Sequence, residues 1–190
     1  MVGVVETFFD GEVCDFTVEP LCMSIGTFDG VHLGHRKLIS TAVEQAKVCN
    51  GIAAAYTFRP HPTAITHPDV PKTMIYSFEE KYKILESFSL AHIIEQKFDG
   101  QFSKLSPEDF IAFLRKKFPT LCGICVGENF KFGHNRGGNA KILMDCAEKF
   151  SIAVTIVPSL VMDGERVSSS RIRELLRGGD TAKARVMLGR

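Results

Sequence analysis

The chain has 190 residues, 45% of them hydrophobic and 24% charged, with a formal net charge of +1. That length suits a single domain with a full core, and the near-neutral charge supplies no global field for nucleic acid or an anionic membrane. No transmembrane run or secretory signal pattern is visible, and six scattered cysteines fit a reduced cytoplasmic compartment.

In chain order, Val4–Phe9 reads as a short edge strand and Asp10–Gly11 as a turn. Leu21–Ile25 is an apolar run suited to a strand buried on both faces. Gly26, Gly30 and Gly34 follow at intervals of four, with His32 and His35 interleaved, and from His35 an apolar stripe of Leu38, Ile39, Ala42, Val43, Ala46 and Val48 predicts a helix. Strand, glycine-rich loop and helix present backbone N–H groups and a positive helix end to a phosphate. Neither G-x-G-x-x-G nor G-x-x-x-x-G-K-[ST] is present. His32-x-Gly34-His35 is present instead: a residue without a side chain between two imidazoles that can donate, or become cationic as phosphate charge approaches.

Asn50–Gly51 ends that helix, and Ile52–Phe58 predicts the next buried strand. It runs into Arg59-Pro60-His61-Pro62, which cannot continue a sheet and lies where doubly wound folds bind ligands. Residues 63–77 read as an irregular loop, Phe78–Phe88 as an amphipathic helix capped by Ser77, and Leu90–Gln96 as a short strand. Ser106-Pro-Glu-Asp opens a helix whose core face is Phe110, Phe113, Leu114 and Phe118. Leu121–Val126 is another buried strand. Its Cys122 and Cys125, three apart, should point to opposite faces, and no second pair completes four ligands, so they read as core cysteines.

Gly127–Gly138 is polar and glycine-rich, yet carries Phe130 and Phe132 beside Asn129 and Arg136, which suits a flat ring with directed polar contacts. Ala140–Phe150 predicts a helix, Ser151–Pro158 a strand and Asp163–Gly164 a turn. Ser168, Ser169 and Ser170 then open a helix among Arg166, Arg171 and Arg173. From Arg166 to Arg190 seven Lys or Arg stand against two Asp or Glu, a local polyphosphate clamp in an otherwise balanced chain. Asp180 caps a last helix, Thr181–Leu188. Alternating strands and helices predict an α/β fold with a doubly wound parallel sheet, and the loops after the strands at 21–25, 52–58 and 121–126 should gather at one edge.

Four stretches resemble one family in order: G-T-F-D-G-V-H-L-G-H at 26–35, T-F-R-P-H-P at 57–62, V-G-E-N-F-K-F-G at 126–133 and V-S-S-S-R-I-R at 167–173, the last matching [IV]-S-S-[ST]-x-I-R. They resemble the FAD synthetase (FMN adenylyltransferase) module of prokaryotic bifunctional riboflavin kinase/FAD synthetases, within the nucleotidylyltransferase superfamily. Lys131 stands where that family has arginine, and Asn139 where it often has aspartate.

The resemblance implies a Rossmann-like domain over residues 1–190, without the riboflavin kinase domain that a full-length protein could add. It also implies transfer of AMP from ATP to FMN, giving FAD and pyrophosphate. His32, His35 and Arg171 are then the expected catalytic groups. Gly26, Phe28, Gly34, Asn129, Arg166, Ser169, Ser170 and Arg173 would bind the nucleotide, and Pro60, His61, Pro62, Asn129, Phe130, Phe132 and Arg136 the flavin. Mg²⁺ is expected with ATP, bridging phosphates without a protein carboxylate cage, with Asp29 as an outer partner. The alternatives are another cytidylyl- or adenylyltransferase of the superfamily, or a nucleotide-binding module without catalysis.

Overall fold

The computed structural model describes residues 6–9, 18–70 and 73–190. Strand β1 is Glu6–Phe9, β2 Leu21–Ile25, β3 Ile52–Arg59, β4 His92–Lys97, β5 Leu121–Gly127 and β6 Ala153–Val157. They form one six-stranded sheet in the order β1-β4-β3-β2-β5-β6, every pair parallel. The chain moves outward from β2 through β3 to β4, then returns to β5 on the other side of β2. The crevice between β2 and β5 is therefore the switch point at which doubly wound sheets bind ligands. β1 lies at the edge expected for it; Val4, Val5 and the Asp10–Gly11 turn lie outside the described residues.

Helices cover both faces. Helix α1 (Leu33–Val48) lies on one, with Leu38, Ile39, Ala42 and Ala46 buried against Cys22, Ala53, Ala55, Ile93 and Cys125. Val48, expected in that stripe, is exposed. It is the last residue of the helix, beyond the last turn that touches the sheet. A five-residue helix α2 (Pro62–Thr66) occupies the start of the stretch expected to be irregular. Helix α3 (Phe78–Leu85) joins α1's face; Ser77 and Glu80 form a capping box at its start.

Helices α4 (Pro107–Lys117) and α5 (Ala140–Glu148) cover the opposite face. Phe110, Ile111, Leu114, Leu143 and Ala147 meet Leu21, Met23, Ile25, Tyr56, Ile124 and Val126 there. Asn139, standing where aspartate is often found, caps α5 by accepting from the Ile142 N–H at 3.1 Å. Val161–Met162 (β7) and Glu165–Arg166 (β8) make a hairpin whose turn, Asp163–Gly164, has φ of 51° and 78°. Helices α6 (Ser169–Arg177) and α7 (Thr181–Leu188) pack on each other through Ile172, Leu175, Ala184, Met187 and Leu188. Among the described residues no helix is long and apolar enough to cross a membrane.

One expectation of the alternating pattern fails. Leu21 pairs with Leu121 but Cys22 pairs with Gly123, so Cys122 is an extra residue in β5. Such a bulge reverses the alternation. Cys122 and Cys125 consequently share a face, the one that carries α1.

Candidate active site

The carboxyl ends of β2, β3 and β5 open into a cavity of about 840 Å³. The loop from β2 to α1 forms its floor and divides into two sets of residues. Gly26, Thr27, His32, Gly34 and His35 line the cavity. Phe28, Asp29 and Val31 turn inward and are at most 1% exposed. Phe28 and Val31 hold φ of 50° and 36°, a left-handed backbone that costs free energy in residues of this kind and survives because burial of both side chains outweighs it. Phe28, expected to touch nucleotide, is buried and does not line the cavity; its ring meets the His35 ring edge-on, centroids 5.4 Å apart.

His32 caps α1, its Nδ1 accepting from the His35 N–H at 3.3 Å. That bond fixes the tautomer and leaves Nε2–H as a donor. The two imidazoles stack, centroids 3.6 Å apart and planes 16° from parallel. Burial, followed by the charge of Arg166, lowers the His32 pKa to about 4. Burial, then His32 and Lys81, hold His35 well below the ordinary range. Both rings are therefore neutral donors in the free protein at pH 7, rather than cations. Gly34 suits this arrangement, because a Cβ there would stand a tight 3.2 Å from the His32 ring.

The sign of the pH dependence follows. Unfolded His32 takes up a proton near pH 6.5 and the folded form near 4, so stability should fall as pH drops through that window. Proton NMR of the histidines checks it. His32 should stay neutral at pH 5.5, and titration of His32 at 6.5 would contradict its desolvation.

The start of α6 faces this floor. Ser168 caps it, its Oγ accepting from the Arg171 N–H at 3.2 Å, and the Val167 carbonyl lies 3.8 Å from the Cβ position of Gly34. Two helix N-termini thus converge on one space, and neither α1 nor α6 has an acidic residue in its first turn. Their partial positive charge is left for an external anion. Ser168, Ser169 and Ser170 all line the cavity, and the Ser169 hydroxyl donates to the Asp29 carbonyl at 2.8 Å, tying α6 to the floor.

The three arginines separate. Arg166 lines the cavity, with no carboxylate partner among the described residues. Arg173 also lines it, but its Nη2 is paired with the buried Asp29 carboxylate and its Nε donates to the Thr73 carbonyl at 2.7 Å. Asp29 accepts from the Ile75 N–H at 2.9 Å with its other oxygen. Both Asp29 oxygens are engaged, and the residue is buried and does not line the cavity. Arg171, expected to be catalytic, is not among the cavity residues. It forks onto Glu165, Nε to Oε2 at 2.8 Å and Nη2 to Oε1 at 2.9 Å, with Glu174 beside it at 3.3 Å. The physical reason is helical geometry: Arg171 and Arg173 lie about 200° apart around α6, so only one can face the floor.

At the other end the cavity is aromatic. Phe58, Phe98, Phe102, Phe130 and Phe132 line it. Phe132 is 7% exposed, stacked on Phe130 at 5.5 Å and tilted against Phe110, so it belongs to the core as much as to the cavity. Gly138 makes room for it, since a Cβ there would come within 2.5 Å of the ring. Asn129 stands on the rim, donating through Nδ2 to Glu128 at 3.1 Å and Ser159 at 3.2 Å. Arg136 is exposed on the same loop, with φ of 57°. His61 and Pro62 line the cavity at the start of α2, whereas Pro60 is exposed and outside it. Sequence reasoning missed Thr63 and His67, which line the cavity from a stretch read as irregular, and Ser168, which was legible only as one of three serines.

Fold and cavity together give an α/β domain with two helix N-termini at one end of its cavity and a phenylalanine-lined recess at the other. A model of FAD synthetase matches residues 16–171. The FAD synthetase of Listeria monocytogenes is 33% identical over 168 residues, 88% of this chain and 68% of that protein. The bifunctional riboflavin kinase/FMN adenylyltransferase of Bacillus subtilis is 34% identical over 173 residues, and that of Escherichia coli K12 is 28% identical over 171. The chain spans 52% and 55% of those two proteins, about half their length. A crystal structure described as a macrolide-efflux protein from Streptococcus pneumoniae superposes with a TM-score of 0.82, covering 97% of this chain and 60% of that one at 24% identity; it speaks to the fold alone. The chain belongs to the FAD synthetase family, and so to the nucleotidyltransferases.

Proposed function

We propose that this chain transfers the adenylyl group of ATP to FMN, giving FAD and pyrophosphate. The observation that carries the reading is one cavity with two unlike ends, paired helix N-termini and imidazoles at one and a phenylalanine-lined recess at the other. A phosphate oxygen of FMN attacks the α-phosphorus of ATP, a new P–O bond forms, and the bond to the bridging oxygen breaks with its electron pair leaving on pyrophosphate. The nucleophile arrives as an anion, so no general base is needed. Positioning and charge stabilisation do the catalysis. His32 Nε2–H and His35 supply neutral donors at the phosphates. The N–H groups of Ser169 and Ser170, with Arg166, hold the departing pyrophosphate. Mg²⁺ enters as part of the ATP substrate; among the described residues Glu128 is the one carboxylate that lines the cavity, so the ion's ligands would be chiefly phosphate oxygens and water.

FMN and ATP incubated with the protein should yield FAD and pyrophosphate in equal amounts, with CTP failing to replace ATP. Pyrophosphate release with CTP would favour another nucleotidylyltransferase. Binding of both substrates without turnover would reduce the chain to a nucleotide-binding module.

Two substitutions test how the ends divide. Arg166→Ala should lower kcat/KM by about 10- to 100-fold, the worth of one charge-assisted contact to phosphate. Arg171→Ala should cost less than about fivefold, because it breaks partly exposed ion pairs that lie outside the cavity. The reverse order in steady-state kinetics would contradict the placement. Asn129→Ala should raise a substrate KM by up to about tenfold, a contact worth about 0.5–1.5 kcal/mol, with kcat little changed. Unchanged titrations of FMN and an ATP analogue would make this rim scaffolding.

A further inference from the structure

At the amino ends of the strands, away from the cavity, lies a second cluster that the proposed reaction does not use. Cys22 on β2, Cys49 at the C-cap of α1 and Cys122 on β5 bring three sulfur atoms together at 3.7 Å, 3.8 Å and 3.9 Å. Residues 27 and 100 positions apart in sequence meet there only through the fold. The bulge in β5 is what turns Cys122 toward the other two. Gly123 leaves the space the Cys22 sulfur occupies, since a Cβ there would stand 2.8 Å from it. Cys22 is buried, while Cys49 and Cys122 are half-exposed, so the triangle can be reached from solvent. All three are free thiols.

We infer that this triangle is a binding site for one soft, thiophilic d¹⁰ cation of the zinc or cuprous type. The geometry carries it. A tetrahedral zinc ion with bonds of about 2.3 Å separates its sulfurs by about 3.8 Å, the edge observed here. An ion at the centre of the triangle would lie ~2.2 Å from each sulfur, which suits trigonal thiolate coordination by a soft ion. The three sulfurs form one face of a tetrahedron, and the fourth position falls to water or another small donor. Each thiol gives up its proton on binding, so a divalent ion with three thiolates makes a site of charge −1 and releases three protons to solvent. Hard cations such as Mg²⁺ prefer oxygen and should not compete. The site would pin the end of α1 to the two central strands, far from the phosphate end of the cavity.

The test uses the whole chain, reduced and freed of thiol reductant. Zn²⁺ in competition with a chromophoric chelator, and Cu⁺ in a separate arm, should each bind at one equivalent per chain. Cys49→Ser and Cys122→Ser should weaken binding by more than about 100-fold, beyond what loss of a supporting contact does, and Cys146→Ser should not. Circular dichroism confirms that the variants fold, and a thiolate-to-Cd²⁺ charge-transfer band in the unmodified chain gives a readout independent of them. Failure of the unmodified chain to take up either ion stoichiometrically would overturn the assignment, as would unaltered binding in folded Cys49→Ser and Cys122→Ser. FAD formation is measured alongside, so loss of metal binding is distinguishable from failure of the proposed reaction.

Discussion

His32→Ala and His35→Ala should each leave a folded chain whose kcat/KM for FAD formation is lower by about 10²-fold or more, the usual cost of removing a preorganised donor to developing charge. His32 has a second duty, since its Nδ1 caps α1. Losing that cap costs about 1 kcal/mol of stability. His32→Asn separates the two roles, because asparagine caps well but its amide is too short to reach where the imidazole Nε2 does. The asparagine variant should recover the stability and leave the rate low. Full activity in His32→Asn or in His35→Ala would show that the imidazole removed does not touch the reacting phosphates.

Asp29→Ala should destabilise the chain by about 3–5 kcal/mol, or about 6–20 °C in Tm for a chain of this size. Asp29 is 1% exposed, and the paired Arg173 side chain 13%. Removing the carboxylate leaves the Arg173 Nη2 and the Ile75 N–H without their shared partner. The double variant Asp29→Ala, Arg173→Met should lose less than the sum of its parts, because the unpaired charge leaves with the arginine. Thermal unfolding of the four proteins measures the coupling, and strict additivity would contradict a buried pair.

Much of the fold was legible in sequence because period and caps agree. Ser77, Ser106 and Asp180 cap the helices predicted for them, and Leu21–Ile25 has the continuous apolar run of a strand covered on both faces. That His32, Gly34 and His35 come together on one loop was legible too, since local geometry fixes them and the structure brings all three to the cavity. What the sequence hides is direction. Phe28 and Val31 look like neighbours of His32 in a ligand loop, and only their left-handed backbone turns them into the core. Which arginine stays free depends on carboxylates elsewhere, Glu165 for Arg171 and Asp29, 144 residues away, for Arg173. One hint was present: in [IV]-S-S-[ST]-x-I-R residue 171 fills the unrestricted position. Cys122 escaped because a bulge is decided by the register of two strands, and no one-strand pattern contains it.

Labelled ATP provides the most direct test of adenylyl transfer in this cavity. With the label on the α-phosphate and FMN in excess, a single turnover should move the label into FAD and leave the released pyrophosphate unlabelled, and His32→Ala should slow that transfer. Label appearing in free AMP or in pyrophosphate, with no labelled FAD, would contradict attack by the FMN phosphate on the α-phosphorus.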